Sequence, residues 1–281
     1  MLSFPQPTDT MEDDRVDGCP RIILQDSAHD VTCFFRAIFD SSFFVPSFSS
    51  PPPLATLAAI LRLSQKYDVE YLRQRCLAHL SSLYPTSLDA WDSLNYAKHI
   101  LGLHCRQSPP TGTYPILPVL ELAKEAMAPW IAPAIMYLGL CAGVEGILDG
   151  TALNCHPGLQ SGMSPVPASA ITLTTEQRML IVAYPALLSA TAESVSFLLS
   201  PPPSHMCFAD KVYQRVLVTE TLGRLLLDWD AVREDVCDVC VKQARRLHAE
   251  SREKFWDALP KLVGVGHSWS ELEKLKETAF S

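Results

Sequence analysis

Proline placement constrains this chain more than any other feature. Pro51-Pro52-Pro53, Pro85, Pro109-Pro110, Pro129 and Pro201-Pro202-Pro203 fall between stretches of helix-spaced apolar residues. Proline removes a backbone donor and its ring clashes with the preceding turn, so a helix rarely continues through it. With 22 prolines against 12 glycines, the pattern predicts short helices joined by stiff, extended spacers. The triple prolines lack the flanking arginines of polyproline ligands, so they read as spacers.

Between these breaks the apolar residues recur every three or four positions, the mark of half-buried helices. Val31, Phe34, Phe35, Ile38 and Phe39 form one stripe over 28–40, with Asp26 or Ser27 placed to cap it. Helices are expected at 54–66, 69–83, 88–100, 115–128, 131–138, from 176 into the 190s with Thr174 or Thr175 as cap, at 210–228, at 231–258 and at 269–280. A short apolar run, Ile22-Ile23-Leu24, follows Pro20 and predicts one strand. The fold class read from this is mostly α-helical, with α+β character at the N-terminus. The chain divides into an acidic flexible end at 1–18, a first domain at 19–140, an irregular linker at 145–170 and a helical C-terminal region at 171–281.

Composition excludes more functions than it suggests. A hydrophobic fraction of 48% in 281 residues fills a sizeable core. The net charge of −8 gives no attraction toward phosphate backbones or anionic membranes. The basic residues near the C-terminus, Arg245, Arg246, Arg252, Lys254, Lys261, Lys274 and Lys276, alternate with Glu250, Glu253, Glu271, Glu273 and Glu277, as on a solvated helix face. The longest apolar run, residues 131–144, is too short for a bilayer. Neither nucleic acid nor membrane is expected as a partner. From the 9 cysteines and the lack of a secretion-type leader, an intracellular place, cytoplasm or nucleus, is expected.

No residue pattern carries recognisable catalysis. There is no His-Glu-x-x-His, no Gly-x-Ser-x-Gly and no glycine-rich turn leading into Lys-Ser/Thr. Asp89 and Asp92 flank Trp91 as a solvated pair would. Cys237-Asp238-Val239-Cys240 alone has metal-ligand spacing, with Cys207 and His248 as further candidate ligands. A continuous helix from Cys240 to His248 would separate them by about 12 Å along its axis, too far for one zinc. Two ordinary helical thiols are the simpler reading; a structural zinc and a redox pair are the alternatives.

Several segments resemble the BTB/POZ domains of mushroom-forming fungi. They are residues 16–26, Phe34-Phe35-Arg36-Ala37-Ile38-Phe39-Asp40, the run from Ile60 to Arg73 with Lys66-Tyr67-Asp68-Val69 at its centre, residues 84–92, and Ala132-Pro133-Ala134-Ile135-Met136-Tyr137. The resemblance covers about 120 residues, and the opening hairpin and first helices of that family have no counterpart. It implies a non-enzymatic protein–protein interaction module, an adaptor or scaffold, with Phe34, Phe35, Ile38, Phe39, Leu61 and Tyr67 at the contact surface and no cofactor. A cullin-type ubiquitin ligase is one implied partner, weakened by the missing first half; so is dimerisation of the family's kind. The stripe from Phe34 to Phe39 is expected to be shielded by the tail of a monomer. A zinc-stabilised domain at 205–250, an unrecognised enzyme and a non-functional truncated product are the other readings.

The helix-spacing argument makes one measurable statement. Purified chain should carry less than about one tightly bound zinc by elemental analysis. Stoichiometric zinc that is lost in Cys237→Ser would contradict it.

Overall fold

The computed structural model describes residues 15–16, 19–20, 23–47, 50–94, 116–141, 144, 147–148, 173–194 and 238–281. The regular elements among them are helices, apart from a minimal antiparallel pairing of β1 (Arg15–Val16) with β2 (Cys19–Pro20). The expected strand at Ile22–Leu24 is corrected. Ile23 and Leu24 have no strand partner and are solvent-exposed, because a strand needs a neighbouring backbone to satisfy its ladder. The expected helix at 210–228 lies outside the described residues.

The first layer consists of α1 (Ala28–Phe39), α2 (Leu54–Lys66) and α3 (Glu70–Leu83). Ser27 caps α1, its hydroxyl accepting from the Asp30 amide at 3.1 Å. The α2–α3 turn closes on Asp68, whose φ of 56° is left-handed. There the Val69 amide donates to the Ser64 carbonyl at 2.8 Å, which pairs one of the carbonyls a helix end leaves open. Leu57, Leu61, Leu72, Cys76 and Leu80 are all buried where α2 meets α3. Burial pushes the Cys76 thiol pKa far upward, against a smaller downward pull from the Arg75 charge, so it remains a neutral core group.

The chain continues through α4 (Leu88–Ser93), α5 (Ile116–Glu125), a 3₁₀ turn at Pro129–Ile131 and α6 (Ala132–Cys141). Helix α5 stops as α2 does. Met127 takes the left-handed position at φ 53°, and the Ala128 amide donates to the Ala123 carbonyl at 2.8 Å. Helix α6 is apolar throughout, and its residues 133–140 are buried. At its Gly139 a Cβ would stand 3.0 Å from Ile116 and 3.3 Å from Leu180, so the missing side chain lets α5 and the next helix approach closely.

That next helix, α7 (Thr175–Ser194), starts at Thr174. Thr174 and Gln177 bond reciprocally, side chain to backbone amide, at 2.9 and 3.2 Å, a capping box. The last two helices are α8 (Asp238–Leu262) and α9 (Trp269–Phe280). The turn between them passes through Gly264 and Gly266 at φ 76° and 79°. A second capping box, Ser268 with Glu271, opens α9. The expected start of α8 at 231 lies outside the described residues, and the helix extends past 258 to Leu262.

One hydrophobic core runs from α1 through α9, across the boundary expected near residue 145. Leu61 is 1% exposed at its centre. Leu61→Ala should lower unfolding free energy by about 2–5 kcal/mol in denaturant titration; a loss under about 0.5 kcal/mol would contradict this packing.

Candidate functional site

Six apolar side chains were expected to form a contact surface, and the structure divides them. Phe34 and Leu61 are 4% and 1% exposed and serve the core, so neither is available to a partner. Phe34 faces Tyr67 at a ring distance of 5.9 Å, which ties α1 to the end of α2. Ile38 and Tyr67 are half-buried against the same core. Phe35 and Phe39 turn the other way, at 43% and 83% exposure, with their ring centres 6.1 Å apart.

Of the C-terminal tail expected to shield the α1 stripe, residues 195–237 lie outside the described residues. Among the described residues, α2 packs on the inner half of the α1 stripe, and the outer half carries the exposed rings of Phe35 and Phe39. The described part of the tail docks elsewhere. Trp256 and Trp269 stack at 5.0 Å with an interplanar angle of 9°, Trp256 meets Trp91 at 5.5 Å, and Phe255 meets Tyr137 at 5.7 Å. The polar edges of this contact are also satisfied. The Trp256 indole donates to the Thr86 carbonyl at 3.3 Å, the Thr86 hydroxyl donates to Glu273 at 2.6 Å, and Arg73 donates to the Ala279 carbonyl at 3.1 Å. Arg252 and Asp92, both expected on solvated faces, form an ion pair at the margin of this cluster, with Arg252 buried.

The exposed apolar surface includes residues the sequence pattern did not select. Ile23, Leu24 and Val45 are 69%, 37% and 67% exposed at the two ends of α1. Val45 follows the core residue Phe44, and only the alternation at Phe44-Val45 hinted that it would face outward. Beside the surface, Asp26 fixes the entry to α1. Lys66 donates to it at 2.6 Å and the Tyr67 hydroxyl donates to it at 2.6 Å. The Lys66 bond first, and the Tyr67 bond second, hold the Asp26 carboxyl below the ordinary carboxylate range. The same carboxylate pushes the Tyr67 phenol upward.

Two of the four candidate metal ligands can be placed, and they are separated. Cys207 and Cys237 lie outside the described residues. Cys240 and His248 belong to α8, which is unbroken from Asp238 to Leu262, so their axial separation is about 12 Å. No group of three or more metal-ligating side chains occurs among the described residues. No helix among them is long and apolar enough to cross a membrane.

The chain matches no family model, and no curated protein or solved structure shows significant similarity to it.

The Asp26 cluster makes α1 docking pH-dependent. A carboxyl with a depressed folded pKa contributes stability above its unfolded value and loses that contribution as pH falls through the folded one. Asp26→Asn should be less stable than the native chain at neutral pH, and the difference should close as pH falls below about 4. Thermal melts across that range check it; a gap that persists to acid pH would contradict it.

Proposed function

We propose that this chain is a non-enzymatic protein–protein interaction module of BTB/POZ type, an adaptor or scaffold, and that its contact surface is the outer face of α1. One observation carries the reading. Phe35 and Phe39 stand 43% and 83% exposed on a helix whose other face is locked into the core. Isolated exposed apolar residues are ordinary, but adjacent aromatic rings on a rigid element are a typical anchor of protein interfaces. Aromatic side chains bring large contact area with few rotatable bonds.

The family assignment rests on the sequence resemblance, above all the segments 34–40 and 60–73. The non-enzymatic reading rests on the lack of a catalytic motif in the sequence. A cullin-type ligase component belongs to this proposal as one protein partner, and the cytoplasm or nucleus as its place.

A photo-crosslinking residue placed at position 39 tests the surface in cells, with one at exposed Thr278 on α9 as control. Position 39 should give a discrete protein adduct, identified by mass spectrometry, that Phe35→Asp removes and that Thr278 does not give. An adduct pattern equal at the two positions, or none at 39, would contradict the proposal.

A further inference from the structure

We propose that α9 is a strap that opens as one unit. It swings away about Gly266 while the helices before it stay packed, and it uncovers a strip built by Arg73, Thr86 and Trp130. None of the α1 residues of the proposed contact surface takes part.

Burial is the first sign. Helix α2 buries seven residues, whereas α9 buries Leu272 alone. Trp269, Glu273, Lys276, Ala279 and Phe280 line the same stripe of α9 and are half-buried. At the far end the Phe280 ring lies 6.4 Å from that of Trp130, near the outer limit for paired rings. Apolar area removed from water is what holds a helix onto a fold, so α9 is held less firmly than α2.

The polar ties of α9 can be released without stranding the groups they join. The Thr86 hydroxyl donates to Glu273 at 2.6 Å, and Arg73 donates to the Ala279 carbonyl at 3.1 Å. With α9 lifted, Arg73 keeps its two bonds to Glu70 at 3.0 and 3.1 Å. Glu273 keeps Lys276 of its own helix at 3.0 Å. The Trp130 indole keeps the Ser81 hydroxyl, and the Trp256 indole keeps the Thr86 carbonyl. The Thr86 hydroxyl and the Ala279 carbonyl pass to water. A polar group left buried without a partner is what makes a docked element costly to lift, and these groups avoid it.

The pivot is built into the turn. Gly264 and Val265 stay with α8, their amides donating to the Lys261 and Pro260 carbonyls at 3.1 and 3.0 Å. Gly266 comes next at φ 79°, and a Cβ there would meet nothing within 4 Å. The backbone can therefore turn at Gly266 without collision. Trp269, stacked on Trp256 and bonded to its carbonyl, keeps the first turn of α9 beside the pivot. The capping box of Ser268 with Glu271 lies wholly on the moving side and travels with the helix. A helix of 12 residues on its own is marginal in water, so α9 exchanges its amide hydrogens once it is lifted.

Amide hydrogen exchange of the full chain at neutral pH reads the opening. The α9 amides from Leu272 to Phe280 should be protected, yet exchange about a hundredfold or more faster than the slowest amides of α2. Thr86→Val removes one tie and Phe280→Ala removes the ring contact. Each should speed α9 by roughly fivefold or more and leave α2 unchanged. Were α9 part of the same cooperative unit as α2, both variants would speed the two helices together. Exchange of α9 as slow as that of α2, no protection in α9 at all, or variants that speed both helices equally would overturn the inference.

Discussion

The aromatic contact between the C-terminal helices and the centre of the molecule decides how everything else is arranged. Trp269 lies flat on Trp256, Trp256 meets Trp91, and Trp91 meets the edge of Tyr137, which in turn meets Phe255. Large aromatic surfaces leave water there, and the indole N–H groups keep their partners. Trp269 donates to the Trp256 carbonyl at 2.6 Å and Trp130 donates to the Ser81 hydroxyl at 2.9 Å. Burying such rings without those bonds would forfeit much of the gain. Helices α8 and α9 are committed to this side of the molecule by geometry and by polar pairing together.

That commitment determines what happens at α1. Helix α2 crosses α1 antiparallel, so that Lys66 and Tyr67 at the end of α2 reach Asp26 at the start of α1. Cys33, Phe34 and Ala37 of α1 are buried there, and Val31 and Ile38 are half-buried beside them. With α8 and α9 held on the aromatic cluster, the described residues offer nothing to cover Phe35 and Phe39. A helix face with two exposed aromatic rings, bordered by exposed His29 and Arg36, is the result, and the functional proposal follows from it rather than from any buried cleft or polar constellation.

The helices themselves were readable because their signals are local. The limits of α2 at Leu54 and Lys66 and of α9 at Trp269 and Phe280 follow from proline or serine at the start and from the apolar period. The cap at Thr174 follows from Gln177 three positions on. What needs a distant partner was not readable. The period in α1 marks Phe34 and Phe35 equally, and only the crossing angle of α2 tells the buried ring from the exposed one. Ile22 to Leu24 has strand composition, but no neighbouring strand is placed beside Ile23 and Leu24. Arg252 sits in a helix of alternating charge that looks solvated, yet its carboxylate partner Asp92 lies 160 residues earlier in the chain. The candidate zinc site was legible only as spacing, and one unbroken helix from Cys240 to His248 is what separates two of its members.

Hydroxyl-radical footprinting of the intact chain at high dilution tests the central claim, that Phe35 and Phe39 on the outer face of α1 stand open to solvent. At about 1 μM, where weak contacts between molecules are dissociated, Phe35 and Phe39 should be oxidised readily, while Phe34, Trp91 and Phe255 should be protected. Protection of Phe39 equal to that of Phe34 at that dilution would show that the chain covers its own surface, and would contradict the account.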